Sequence, residues 1–294
     1  TVNLSLGQAT DLGGSADTLV SIENVDGSDV DDTLIGGSAG NMLMGGNGTD
    51  SIDGAGGDDW LQGGAGPDSI DGGLGNDTAD YSQSSGLVGV DLANGVATGG
   101  EASGDVLANI EHVQGSNFSD LLRGDGQGNR LLGASGDDSL SGGLGADTLD
   151  GGAGDDVLHL DSAADPDDQF IGGNGTDGLV FDAGSVGLDL TGLANGAVQG
   201  IERFDLTNGT HTLTLDASDV LSGSTATNAS AGDPSYLTWV VDAAANDGDV
   251  VQLVISGGSW ASNGSFGSYD VWEHAGMGAK VLVDSNVTVN VIGI

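Results

Sequence analysis

A period of nine residues runs through much of the chain and constrains its fold more than any other feature. From Gly27 to Asp80 the sequence divides without remainder into six nonapeptides, and from Gly115 to His159 into five more. A further unit, GGNGTDGLV, starts at Gly172. The best copies have glycine at positions one, two and four, aspartate at position six and an aliphatic residue at position eight. A fixed short period of this kind predicts a solenoid of stacked turns.

A second, longer period contains the first. An offset of 88 residues places Val2 on Val90, Asp17 on Asp105 and Glu23 on Glu111, and Ile201-Glu202 repeats the dipeptide Ile110-Glu111. We therefore predict tandem modules at 1–80 and 81–159 and a degenerate third at 160–203, with nonapeptides at 27–80, 115–159 and 172–180. Because the first module begins in the middle of the pattern, we expect the chain to be part of a longer protein.

The acidic residues are almost all aspartate, which favours turns that bind a cation. The chain has 45 acidic residues, of which 40 are Asp, against four Lys and Arg, and its net charge is −41. Asp holds a carboxylate close to the backbone of a turn, and the 57 glycines allow left-handed backbone there. Such turns can direct several oxygens at one hard cation, and calcium prefers six to eight oxygen ligands.

Composition also excludes several classes of partner and chemistry. A chain with so few basic residues is not expected to bind nucleic acid. It has no apolar run long enough for membrane insertion. The absence of Cys excludes disulfides, thiolate catalysis and cysteine zinc sites.

The nonapeptides resemble the repeats-in-toxin (RTX) family, also called haemolysin-type calcium-binding repeats, whose pattern is G-G-x-G-x-D-x-U-x. The resemblance implies a parallel β-roll in which six residues form a turn, three form a strand and two units make one coil. It also implies calcium ions between successive turns on the same side. The fold class that we predict is all-β, with a parallel β-roll in tandem modules followed by a C-terminal antiparallel β cap domain over 204–294.

The same resemblance implies the ligands. Roughly seven to nine calcium ions would be held by position-six side chains and turn carbonyls. The predicted side chains are Asp32, Asn41, Asp50, Asp59, Asp68, Asp77, Asp120, Asn129, Asp138, Asp147, Asp156 and Asp177. The predicted carbonyls belong to Gly46, Gly48, Gly64, Gly66, Gly73, Gly75, Gly143, Gly145, Gly152 and Gly154.

Several units depart from the pattern. Asn41 and Asn129 lack the charge, so their sites should be weaker. Position two is not glycine in five units, which predicts distorted turns or end sites. The residues that replace it are Ser28, Ala55, Ser116, Asp125 and Ala134.

One aliphatic side chain per nine residues provides a thin core, and the carboxylates repel one another. We expect the chain to be disordered without a cation, because calcium binding then supplies folding free energy. Such a protein would stay unfolded where calcium is scarce and would fold outside the cell.

The C-terminal third has a different pattern. Seven of the 12 aromatic residues lie from Phe204 onward. Alternating segments at Leu213–Leu215, Val250–Ile255 and Val287–Val291 predict half-buried antiparallel strands. The tail resembles the segment that follows RTX repeats in large bacterial surface proteins, which implies a cap and export signal.

Nothing in the sequence predicts catalysis. The run Gly36-Gly37-Ser38-Ala39-Gly40 fits G-x-S-x-G, but it lies within a repeat turn rather than on a strand-to-helix elbow. The four His are scattered and none belongs to H-E-x-x-H. A local acidic cluster at Asp165, Asp167 and Asp168 could bind one more ion. We therefore expect a protein that is not an enzyme.

Three functions are compatible with these features. The first is a secreted calcium-binding protein with a structural role in a surface layer, filament or extracellular matrix, whose partners are its own copies or other cell-surface components. The second is the C-terminal folding and secretion module of an exported enzyme, such as a protease, lipase or alginate epimerase. The third is the distal end of a large adhesin. In each case the resemblance implies type I secretion machinery and an extracellular or cell-surface location in a Gram-negative bacterium.

Overall fold

The computed structural model describes residues 1–10, 13–160, 167–182, 187–189, 197–206, 212–215, 237–242, 250–255, 260–266, 269–274, 279–284 and 288–293. The chain forms two compact units, Thr1–Ser139 and Leu140–Ile294. Each is described by itself below. The module boundaries after residues 80, 159 and 203 stay predictions.

Each nonapeptide forms one short strand around its eighth position. In Ser51–Asp53, for example, Ile52 is 1% exposed and both neighbours are exposed. Successive side chains of a strand point to opposite faces, so a three-residue strand buries only its central side chain. Leu34, Leu43 and Leu61 are buried in the same way, which confirms that position eight forms the core.

The first unit consists of short strands and a single described 3-10 helix, Gly100–Ala102. Its strands are β1 (Val2–Asn3), β2 (Gln8–Thr10), β3 (Ala16–Thr18), β4 (Asn24–Ser28), β5 (Thr33–Ile35), β6 (Met42–Asn47), β7 (Ser51–Asp53), β8 (Trp60–Ala65), β9 (Ser69–Asp71), β10 (Thr78–Asp80), β11 (Gly89–Asp91), β12 (Val96–Thr98), β13 (Val106–Ala108), β14 (His112–Gln114), β15 (Leu121–Arg123) and β16 (Arg130–Ser135). In the described residues there is no helix that has both the length and the apolar character needed to cross a membrane.

Consecutive nonapeptides alternate between two parallel sheets. One sheet contains β4, β6, β8, β10, β14 and β16 in that order. The other contains β1, β5, β7 and β9. The register aligns Leu34 with Ile52 and Leu43 with Leu61, one coil of two nonapeptides apart. The predicted parallel β-roll is therefore confirmed.

A three-stranded antiparallel insertion separates the two runs of nonapeptides. β11, β12 and β13 form a meander whose last strand pairs in parallel with β9 and whose first strand pairs in parallel with β15. The strands β1, β2 and β3 form the same meander 88 residues earlier. Even single hydrogen bonds recur, since the Leu19 N–H donates to the Gly7 carbonyl and the Leu107 N–H to the Gly95 carbonyl.

The second unit continues the parallel arrangement. β17 (Ser139–Ser141) lies at the division. The strands that follow are β18 (Thr148–Ala153), β19 (Val157–Leu160), β20 (Gln169–Asn174), β21 (Gly178–Phe181), β22 (Gly187–Asp189), β23 (Val198–Gln199), β24 (Arg203–Asp205), β25 (Thr212–Leu215), β26 (Leu237–Asp242), β27 (Val250–Ile255), β28 (Trp260–Phe266), β29 (Tyr269–His274), β30 (Ala279–Asp284) and β31 (Thr288–Gly293).

Strand direction in the C-terminal third differs from the prediction. Among the described strands of this third, only β28, β29 and β30 pair in an antiparallel arrangement. The three alternating segments, now β25, β27 and β31, pair with one another in parallel, as do β24, β26 and β30. The antiparallel prediction was wrong for those segments, because alternation reports which face is buried and says nothing about the direction of the neighbouring strand.

Candidate metal sites

The turns between strands have left-handed backbone where the repeat has its second and fourth glycines. All ten glycines predicted to supply carbonyl ligands have positive φ, as at Gly64 (100°) and Gly66 (135°). A Cβ at Gly64 would contact the Gly46 carbonyl oxygen, and one at Gly66 the Gly48 carbonyl oxygen. Turn carbonyls therefore lie in the narrow gap between one turn and the next.

The first glycine of the repeat has a different role, which the sequence did not reveal. Gly45 and Gly54 are not left-handed. A Cβ at Gly45 would collide with Oδ2 of Asp50, and one at Gly54 with Oδ2 of Asp59. Glycine at position one thus leaves room for the carboxylate five residues later.

The position-six side chains of the first unit form two ladders, one on each edge of the roll. On the first edge, the Asp32 N–H donates to Oδ1 of Asp50 and the Asp50 N–H to Oδ1 of Asp68, both at 2.7 Å. On the second, the Asn41 N–H donates to Oδ1 of Asp59 at 2.7 Å and the Asp59 N–H to Oδ1 of Asp77 at 2.8 Å. The structure thus brings these residues together in the two predicted rows.

One oxygen of several regular carboxylates is buried without a partner. Oδ2 of Asp50, Asp59, Asp68 and Asp77 has no hydrogen bond among the described residues, and the same holds for Asp177. All five side chains are at most 2% exposed. Buried polar atoms normally have a partner, and a buried unpaired charge is costly. The partner that these oxygens lack would be a positively charged group.

These donors fit a calcium ion. The described residues contain no group of three or more His, Asp or Glu side chains that could hold a metal by themselves. A cation at this position would therefore take main-chain carbonyls as well as carboxylates, which is the oxygen-rich set that calcium prefers. The assignment of individual ligands stays a prediction.

Burial and crowding also raise the pKa values of these groups. Burial is the main cause and neighbouring carboxylates add to it, so that the pKa of Asp59 and of Asp68 is about 6 and that of Asp177 about 7. The pKa of Asp50 and of Asp77 is raised in the same direction. A cation between the turns would reverse this effect, because it favours the charged form.

The first units of each run differ, because protein groups satisfy their position-six side chains. The Ser28 hydroxyl donates to Oδ2 of Asp32 at 2.7 Å. In the second run, Ser116 donates to both oxygens of Asp120, from its N–H at 2.6 Å and its hydroxyl at 2.8 Å. These serines are two of the predicted departures at position two, and here they behave as end caps.

The asparagines are held in an equivalent way. Oδ1 of Asn41 accepts from the Gly37 N–H at 2.7 Å, and its Nδ2 donates to the Glu23 carbonyl at 2.8 Å. Asn129 accepts from the Asp125 N–H at 2.8 Å and donates to the Glu111 carbonyl at 3.1 Å. An amide can both donate and accept hydrogen bonds. It therefore suits these end positions, where a carboxylate could not donate to the main-chain carbonyl.

The alanines at position two leave their turns intact. Ala55 and Ala134 retain left-handed backbone, with φ of 69° and 82°. The prediction of distorted turns is therefore wrong for these two units, because the turn imposes its conformation on the residue.

The remaining predicted residues lie in the second run. Asp138, Asp147 and Asp156 are at most 2% exposed. The Asp120 N–H donates to Oδ1 of Asp138 at 2.7 Å. The Asp156 N–H donates to Oδ1 of Asp177 at 2.9 Å, so the isolated nonapeptide at 172–180 continues the ladder.

Asp168, a member of the predicted acidic cluster, belongs to a ladder. Its Oδ1 accepts from the Asp147 N–H at 2.8 Å, and Phe170 two residues later is 3% exposed in the core. Asp165 lies outside the described residues. The signal was a degenerate nonapeptide ending at Ile171, with Asp at position six and Phe at position eight, but no glycine to mark it.

Three further carboxylates end the ladders and were not among the predicted ligands. Asp105 accepts from the Asp68 N–H at 2.9 Å, Glu111 from the Asp77 N–H at 2.9 Å and Glu202 from the Asp177 N–H at 3.0 Å. The available signal was the 88-residue offset, which aligns Asp105 with Asp17 and Glu111 with Glu23.

Comparisons with known proteins agree with the repeats. The family model for the RTX calcium-binding nonapeptide repeat (4 copies) matches residues 26–61, 53–83, 108–140, 123–158 and 132–165. No curated protein matches the chain. Among matching solved structures, the extracellular lipase LipA from Serratia marcescens is 16% identical, and the match covers 95% of this chain and 42% of the lipase with a TM-score of 0.19. The match thus spans less than half of the lipase.

Proposed function

Because the chain is an RTX haemolysin-type calcium-binding repeat protein, we propose that it folds on calcium outside the cell and serves a structural role there. The location would be a surface layer, a filament or an extracellular matrix of a Gram-negative bacterium, reached by type I secretion. Its partners would be copies of itself or other cell-surface components.

The observation that carries this proposal is the stack of buried carboxylate oxygens without hydrogen-bond partners. Four of them, in Asp50, Asp59, Asp68 and Asp77, belong to successive turns of one roll. Without a cation these charges are desolvated and repel one another. A group that binds the folded chain and not the unfolded chain stabilises the fold in proportion to its binding, so calcium controls whether the roll exists.

A structural role is favoured by repetition. Strand positions recur at 88 residues, so the architecture extends by adding similar modules.

The test is a calcium titration of chelator-stripped protein in which circular dichroism and light scattering are read on one sample. The expected result is that the β-sheet signal and the particle mass rise together with calcium, and that electron microscopy shows ordered sheets or filaments. A chain that stays unfolded at millimolar calcium would contradict the proposal entirely.

The alternative is a folding and secretion module attached to an exported enzyme, or the end of an adhesin. It predicts that the β-sheet signal rises while the mass stays that of one chain. That outcome would retain calcium-dependent folding and reject the structural role.

A further inference from the structure

A tripeptide outside the nonapeptides occurs three times in the chain. It consists of a left-handed residue, an isoleucine and a glutamate. The copies that follow a repeat run are Asn109-Ile110-Glu111 and Gly200-Ile201-Glu202, and a third copy is Ser21-Ile22-Glu23. The first residue has φ of 50°, 63° and 55° in these three copies. Three of the five glutamates of the chain belong to this tripeptide.

At the end of the first run, the tripeptide takes the place of the next nonapeptide turn. A regular first glycine such as Gly54 lies against the carbonyl oxygen of the glycine 18 residues later, Gly72. Gly72 itself lies against the Asn109 carbonyl oxygen. The Asn109 side chain donates to Oδ1 of Asp71 at 2.7 Å, which holds the left-handed residue in place.

The glutamate takes the place of the next position-six aspartate. Glu111 accepts from the Asp77 N–H at 2.9 Å, as Asp77 accepts from the Asp59 N–H at 2.8 Å. The glutamate side chain is one methylene longer than that of aspartate, so it reaches the ladder from a tripeptide that is shorter than a nonapeptide turn. Ile110 is 4% exposed and anchors this segment in the core.

The second copy repeats the carbonyl and glutamate contacts, although Gly200 has no side chain to match the Asn109 bond to Asp71. Gly172 lies against the Gly200 carbonyl oxygen, and Glu202 accepts from the Asp177 N–H at 3.0 Å. The main-chain N–H of Glu202 donates in turn to the Asp177 carbonyl at 3.0 Å, as that of Glu111 does to the Asp77 carbonyl at 3.2 Å.

We propose that each of these two tripeptides completes an additional calcium site, one with the turn 72–77 and one with the turn 172–177. The side-chain ligands would be Asp77 with Glu111 and Asp177 with Glu202, assisted by the carbonyls of Asn109 and Gly200. An independent feature points to a cation at each place, since Oδ2 of Asp77 and of Asp177 is buried without a hydrogen-bond partner among the described residues and both side chains are 0% exposed. The inference rests on the proposed calcium binding and extends it beyond the nonapeptides.

The other edge of the first run ends differently. Asp105 accepts from the Asp68 N–H through Oδ1, but its Oδ2 accepts from the Tyr81 hydroxyl at 3.1 Å. Tyr81 is 3% exposed, so a protein donor already satisfies this carboxylate. The first run therefore ends on a carboxylate with a protein hydroxyl donor at one edge, although Oδ2 of Asp68 beside it has no hydrogen-bond partner among the described residues, and on the proposed calcium site at the other.

The experiment counts calcium ions by native mass spectrometry and measures affinity by calorimetry, using the full chain titrated with CaCl2. Glu111→Gln and Glu202→Gln are each expected to bind one ion fewer than the unchanged chain, and the double variant two fewer. Glu23→Gln is the matched control, because the Glu23 side chain is exposed and no described coil faces it. It is expected to retain the full count.

Asp59→Asn separates failure of the inference from failure of the proposed function. If Asp59→Asn loses an ion while Glu111→Gln and Glu202→Gln match Glu23→Gln in count and affinity, the inference is overturned and calcium-dependent folding stands. If the unchanged chain binds no calcium, both fail. Should Glu111→Gln not fold, Glu111→Asp decides, because its shorter carboxylate is expected to weaken one binding step about tenfold or more, and an unchanged affinity would overturn the inference.

Discussion

At the scale of single residues, the roll depends on backbone conformations that only some side chains accept. Most left-handed positions of the turns are glycine, but Ala55 and Ala134 have φ of 69° and 82°. A left-handed conformation costs an L-residue about 1–2 kcal/mol. These two alanines are therefore strained positions in otherwise regular turns.

Replacing Ala55 by glycine is expected to stabilise the calcium-bound roll by about 0.5–1 kcal/mol, because the removed strain exceeds the added freedom of the unfolded chain. The measurement is denaturant unfolding at saturating calcium. The matched control is Ala65→Gly, one turn later at a residue without positive φ, where a loss of about 0.4–1 kcal/mol is expected. Equal losses in the two variants would contradict the strain at Ala55.

At the scale of the element, each nonapeptide contributes one core side chain and one carboxylate. The aliphatic side chain at position eight packs between the two sheets, as Leu61 does at 0% exposure. The carboxylate at position six extends a ladder along the edge, as Asp59 does toward Asp77. The strand holds the sheets together, and we expect the turn to fold only when its charge is neutralised.

The core contribution of one element can be measured by Leu61→Ala. A buried leucine truncated in this way costs about 2–5 kcal/mol. Leu74, in a turn of the same roll, is 79% exposed, and Leu74→Ala is expected to change the free energy of unfolding by no more than about 0.5 kcal/mol. Both values come from denaturant unfolding in excess calcium, and similar losses would argue against a core confined to position eight.

The ladders also predict a dependence on pH. The pKa of Asp59 and of Asp68 is about 6 and that of Asp177 about 7, mainly through burial. In the unfolded chain Asp titrates near its ordinary value of about 3.9. Between these values the metal-free folded state binds more protons than the unfolded state, so its stability falls as pH rises through this window.

Calcium must displace those protons, so its affinity is expected to rise from pH 5 to pH 8 while the metal-free β-sheet signal falls. Calorimetry and circular dichroism at constant ionic strength check the two directions separately. Asp177→Asn should remove the part of the dependence nearest pH 7. A calcium affinity that is constant from pH 5 to pH 8 would be inconsistent with raised pKa values.

At the scale of the whole molecule, we expect charge to decide whether the chain folds. The net charge is −41, and much of it lies along the ladders, where like charges face one another. General screening by salt weakens this repulsion over distances beyond about 8–10 Å, but it does not satisfy buried oxygens inside a turn. A bound cation of suitable size is needed for that.

The chain is therefore expected to discriminate between divalent ions. Calcium added to the chelated protein should restore the β-sheet signal, whereas magnesium at equal concentration should restore little, because it requires near-ideal octahedral geometry and retains its water. Sodium chloride at matched ionic strength serves as the control for screening. Equal recovery in all three salts would mean that repulsion alone opposes folding.

The sequence by itself determined the repeating parts of this protein. The nine-residue period identifies Leu61 as a core residue and Asp59 as an edge residue, because each unit repeats the same local geometry. The offset of 88 residues likewise anticipates the second meander, β11 to β13. These features can be predicted from sequence because the residues that contact one another lie at a constant separation along the chain.

Only the tertiary structure decided what happens where the period stops. Glu111 reaches Asp77 across 34 residues and Asp105 reaches Asp68 across 37, and no constant spacing marks such pairs. The sequence also did not predict that β25, β27 and β31 pair in parallel. Buried and exposed residues alternate in the same way in parallel and antiparallel strands. These features depend on which coil each irregular segment packs against. That packing joins residues at irregular separations along the chain, so only the tertiary structure shows it.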